Sequence, residues 1–95
     1  MSSYDVAHIR QSGVDLIIIP LDRSFGFKPT SEQHRVTNQL QLAARSAGLA
    51  GTVVPVWDAG GGRMAFIAPR PWHPFFSSIG LHDVAMNINL TLTCH

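Results

Sequence analysis

The stretch VWDAGGGRMAFIAPRPWHPFF, residues 56–76, gathers Trp57, Asp58, Arg63, Trp72 and His73 around three consecutive glycines. Two indoles, a carboxylate, a guanidinium and an imidazole are what a small-molecule pocket uses to orient a ligand between apolar walls. The same residue types mark protein interfaces. His73 with Asp58 also suits a base and its orienting carboxylate, with Ser77 or Ser78 as nucleophile. No GxSxG elbow accompanies them, and nothing in the spacing demands a catalytic set. Arg63 either grips a carboxylate or phosphate at a pocket mouth or forms an exposed ion pair with Asp58 across a hairpin.

The glycines themselves have a backbone explanation. A tight reversal needs positive φ, which glycine adopts without steric cost. AGGG fits neither GxGxxG nor GxxxxGK[ST], and it joins two strands, so it is not a nucleotide loop. In PRPWHPFF the prolines make a rigid extended segment that enters a helical turn. Its aromatic residues either plug one end of the core, with His73 satisfied at the surface, or wall a cleft together with Trp57. A second candidate region is DRSFGFKP, which carries Asp22, Arg23, Phe25, Phe27 and Lys28 after a buried strand. Loops at the carboxyl ends of strands are where open α/β sheets bind ligands.

Metal and nucleic-acid chemistry find little footing. His8, His34, His73, His82 and His95 are scattered without HxxxH, HExxH or paired cysteines, and no metal or cofactor is expected. Lys28 is the single lysine and the arginines are dispersed, so no basic patch for nucleic acid is indicated at a net charge of +1. The lone Cys94 allows no internal disulfide and fits a reducing cytoplasm. Neither a leader's apolar segment nor the run of about 20 apolar residues of a membrane span is present.

These residues must be positioned by a single α+β domain, since 95 residues hold one core. Ser3 as cap, Val6, Ile9 and Arg10 at helical spacing and Gly13 as stop predict a short opening helix. VDLIIIPL, residues 14–21, is rich in β-branched residues and apolar at alternate positions of both kinds, which predicts a strand buried on both faces. Thr30 and Gln33 match a capping box after Pro29 and open a helix with Val36, Leu40, Ala43, Ala44 and Ala47 on one face, closed by Gly48. TVVPVW and RMAFIA predict two strands joined by DAGGG, with Pro55 at an edge, at a bulge or in a cis bond. For residues 81–93 the alternation of MNINLTLTC argues strand. Leu81, Val84, Ala85, Ile88 and Leu92 also fall at helical spacing, and helix is preferred. The expected architecture is a three-stranded mixed sheet packed with helices in the order αβαββα, its first two strands parallel and the hairpin antiparallel.

VDLIIIPLD, SAGLAGTVVPVWDAGGGRM and FIAPRPWHPFF together resemble a set of small uncharacterised accessory proteins encoded on mobile integron gene cassettes of bacteria. The resemblance runs from about Val6 onward and implies a bacterial cytoplasmic accessory protein that often self-associates. It carries no catalytic residues. Charged residues make up only 14% of the chain, which also points to apolar surface covered by a second subunit, hence a homo-oligomer. The resulting expectation is a non-catalytic accessory protein that binds a small ligand or protein partner through Trp57, Asp58, Arg63, Trp72, His73, Phe25 and Phe27. The alternative is a small hydrolase or isomerase using His73 as acid or base.

Overall fold

The computed structural model describes residues 2–94, with the side chains of all of these except Ser2 and Cys94. Its elements are β1 (Ser2–Gln11), β2 (Val14–Pro20), a 3₁₀ turn (Arg23–Phe27), α1 (Thr30–Ser46), β3 (Thr52–Asp58), β4 (Met64–Phe66), a second 3₁₀ turn (Arg70–Trp72), α2 (His73–Ser77), α3 (Leu81–Met86) and β5 (Leu90–Cys94). The strands form one five-stranded mixed sheet in the order β4-β3-β2-β1-β5. The α+β class is as expected, but the sheet has five strands instead of three and the order is not αβαββα.

The two extra strands come from the two ends of the chain. Residues 2–11 form a strand, not a helix: Ser12 and Gly13 both take positive φ (51° and 78°) and close a hairpin between β1 and β2. Gly13 thus ends a strand, and the helical spacing of Val6 and Ile9 arises because they lie on opposite faces of it. Residues 81–93 divide between both readings. Helix α3 stops at Met86, and the alternating residues from Leu90 pair antiparallel with β1.

The central pairing is as the sequence implies. β2 and β3 are parallel, joined through α1, and β3 and β4 are antiparallel. Residues 16–19 of β2 are at most 1% exposed. Ile17 and Ile19 point toward α1 with Leu40, Ala44, Val53 and Leu92, while Leu16 and Ile18 point to the other face with Val54, Val56, Phe76 and Val84. Helices therefore cover both faces within one chain: α1 on one side, and α2 with α3 on the other. The α1 stop forms as expected, with Gly48 N–H donating to Arg45 O and Leu49 N–H to Ala44 O (3.0 and 2.9 Å). Its start differs. Thr30 is already helical, no side chain caps the turn, and Gln33 instead reaches back so that its Nε2 donates to Phe25 O (3.2 Å). Glu32 pairs with Arg35 along the helix, and the guanidinium holds its carboxyl below the usual range.

Side-chain amides complete the sheet where strands run out. Pro55 O accepts from Ile67 N–H (3.1 Å), but proline has no N–H to return, and β4 ends at Phe66. Pro55 is thus in an inner strand at the point where its ladder to β4 stops, and its peptide bond is trans, as are the others among the described residues. Beyond it, Gln41 of α1 takes the absent strand's place. Its Oε1 accepts from Val53 N–H (2.9 Å) and its Nε2 donates to Gly51 O (3.2 Å). Gln41→Ala leaves the part-buried Val53 N–H without its acceptor and is expected to cost about 1–3 kcal/mol in urea denaturation. Gln39→Ala, on the exposed side of the same helix, should stay within about 0.5 kcal/mol.

Candidate functional site

β2 and β3 run parallel and end side by side, so the segments that follow them meet at one corner of the sheet. Leu21 N–H donates to Val56 O (2.8 Å) and carries the pairing one residue past β2. Asp22 then opens the 3₁₀ turn, its Oδ1 accepting from Ser24 N–H (2.9 Å). The turn buries Phe25 edge-on against Trp57, with ring centroids 4.9 Å apart. The Gln33 bond to Phe25 O ties this turn to α1. Asp58, at the end of β3, accepts from Gly60 N–H through Oδ1 (2.7 Å), and residues 60–62 all take positive φ. The hairpin account of the glycines therefore holds.

Between these segments lies a shallow cleft of about 110 Å³ lined by Arg23, Gly26, Phe27, Trp57, Asp58 and Ala59. Gly26 crosses directly over the indole: a Cβ there would sit 2.6 Å from Trp57 Nε1. Trp57 is 8% exposed, and its Nε1–H has no hydrogen-bond acceptor among the described residues, yet it is not sealed from solvent. Phe27 projects beside it at 81% exposure. Arg23 forms no ion pair among the described residues, and its Nη2 lies close to Gly60. The cleft thus offers indole and guanidinium donors, one carboxylate and one aromatic face. It contains no nucleophile, and no group of three metal-binding side chains occurs among the described residues.

The expected site residues divide into two groups. Trp57, Asp58, Phe25 and Phe27 come together at this corner. Arg63 is exposed at the far end of the hairpin turn, bonded through its backbone to Ala59 and Gly60, and makes no ion pair with Asp58 among the described residues. Trp72 and His73 are not part of the cleft lining. Trp72 packs edge-on against Phe75 and joins the core around Phe76. His73 sits over Phe66, with Nε2 2.9 Å from Ala68 O. A carbonyl only accepts, so Nε2 is the donor in this contact. His73 and Asp58 each have another partner, Ser78 Oγ donates to Phe75 O (2.6 Å), and among the described residues no hydrogen bond links His73 to Asp58, Ser77 or Ser78. His95 lies outside the described residues. Gly26 and Ala59 are the lining residues that the sequence reading missed, and Gly26 is the one whose residue type shapes the cleft. The signal for it is a glycine between two phenylalanines in SFGFKP, where only an absent side chain lets the turn close over an indole.

A comparison with protein-family models, with curated proteins and with solved structures finds no match for the chain.

Gly26→Ala must displace the Trp57 ring from a packed position and is expected to destabilise by about 1–3 kcal/mol. It should also move the Trp57 indole N–H resonance. Gly80→Ala, where a Cβ meets nothing within 4 Å, is expected to change stability by less than about 1 kcal/mol.

Proposed function

We propose that this chain is a non-catalytic binding module that holds a small ligand, or one side chain of a protein partner, in the corner cleft of Arg23, Phe27, Trp57 and Asp58. The observation that carries the reading is the Trp57 indole N–H, which has no acceptor among the described residues, beside an exposed phenylalanine and an arginine that forms no ion pair among them. An indole donor and a guanidinium that both open to solvent beside an aromatic face suit an apolar group bearing a carboxylate. The position at the carboxyl ends of adjacent parallel strands is where such sheets present ligand-binding loops. A cytoplasmic accessory role accords with the sequence resemblance. Among the described residues no helix is long and apolar enough to cross a membrane.

The test uses a panel of aryl and alkyl carboxylates, with matched uncharged amides, read by ¹H–¹⁵N spectra. Trp72→Phe assigns the remaining indole signal to Trp57. Carboxylates are expected to shift the Trp57 indole and the Gly26 and Gly60 amides, and the amides to shift them less. Arg23→Ala should weaken the effect about tenfold or more, the loss of one charge-assisted hydrogen bond. A panel that leaves all these signals in place overturns the reading. A pH-dependent hydrolytic or isomerase activity lost in His73→Ala, with stability kept, would put the enzyme reading in its place.

A further inference from the structure

The outer edge of β5 is open and self-complementary. His8 N–H donates to Asn89 Oδ1 (2.9 Å) and His8 C=O accepts from Asn89 Nδ2 (2.8 Å), so the even-numbered residues of β1 face β5 and the odd-numbered ones face β2. The register pairs Tyr4 with Leu92 and Val6 with Leu90. Leu90 and Leu92 therefore direct their backbone groups to β1, and Thr91 and Thr93 direct theirs outward. Both threonines are exposed, and β5 ends the sheet on that side.

Edge strands of soluble proteins are commonly blunted by charge, proline, a bulge or short length. β4, at the opposite edge, has three residues and ends where Pro55 offers no donor. The stretch of β1 that β5 leaves uncovered is closed at His8 by Asn89. The β5 sequence, LTLTC, has neither charge nor proline.

We propose that a second copy of this chain pairs with β5, antiparallel, across a two-fold axis at Leu92. In that register Thr91 exchanges both backbone hydrogen bonds with Thr93 of the second copy, and Thr93 does the same with its Thr91. The two threonines then face each other on the exposed side of the sheet, a favourable cross-strand pair. The stretch Thr91-Leu92-Thr93 is its own complement about Leu92, which argues for a like strand as the occupant. Pairing of such short strands buries less than a standard stable interface, so the dimer is concentration-dependent in the micromolar range.

Sedimentation velocity from low to high micromolar concentration tests this on the full chain. The wild type is expected to pass from monomer to dimer, with the Thr91 and Thr93 amides gaining hydrogen-exchange protection while Leu92 is protected throughout. Thr91→Pro removes an outward N–H without touching the β1 ladder, and is expected to raise the dimer dissociation constant at least tenfold at unchanged far-UV circular dichroism. If Thr91→Pro misfolds, Thr91→Lys combined with Thr93→Lys places like charges opposite each other only in the dimer, and Thr91→Lys sets its cation across from Asp5 in the monomer. A wild type that stays monomeric, or a folded variant of either kind that dimerises as the wild type does, overturns the proposal.

Discussion

Four consecutive apolar residues in β2, with no exposed side between them, set the requirement that the other elements meet. A strand of that kind needs a neighbour along each edge and a layer over each face. Each buried Leu or Ile contributes on the order of 1.5–3 kcal/mol relative to exposure, so leaving either face open would cost much of a small domain's stability. The chain meets the requirement from both directions. β1 and β3 take the two edges. α1 lies over Ile17 and Ile19, and the segment after β4 crosses to lie over Leu16 and Ile18. The corner cleft follows from the same arrangement, because parallel β2 and β3 release their next segments at the same end.

Two carboxamides finish what the strands leave incomplete. Gln41 bonds Gly51 and Val53 on either side of Thr52, the pattern a residue of a parallel strand would make, and Asn89 bonds both groups of His8 as an antiparallel partner would. Each stands where the neighbouring strand has stopped. Each also links separate elements: Gln41 joins α1 to the β3 strand that follows it, and Asn89 joins β5's lead-in to the first hairpin.

The central β2-α1-β3-β4 unit was legible because its signals are local and agree: a doubly apolar strand, a long amphipathic helix with a glycine stop, and a glycine hairpin. The ends were not. Val6 and Ile9 fit a helix face, and only pairing with β2 and β5 shows that residues 2–11 are extended. The switch from α3 to β5 within fourteen residues defeats any single period. In the candidate site, Trp57, Asp58, Phe25 and Phe27 could be brought together by reasoning about strand ends. Trp72 and His73 are close to them in sequence only, because the chain crosses to the other face after Phe66. Gly26, Gln41 and Asn89 act through what their side chains reach or omit in three dimensions, which composition and spacing do not encode.

The odd and even sides of β1 have a consequence for the order of folding. Its odd-numbered side faces β2 across a two-residue turn and can pair as soon as residues 12–18 follow it. Its even-numbered side waits for Asn89 and β5, a contact spanning 81 positions of the chain. Closing so long a loop is entropically costly and slow relative to hairpin formation. Until then Tyr4, Val6 and His8 present an unpaired, partly apolar strand edge, and it is this interval, more than the finished molecule, in which the chain is most exposed to pairing with the wrong neighbour.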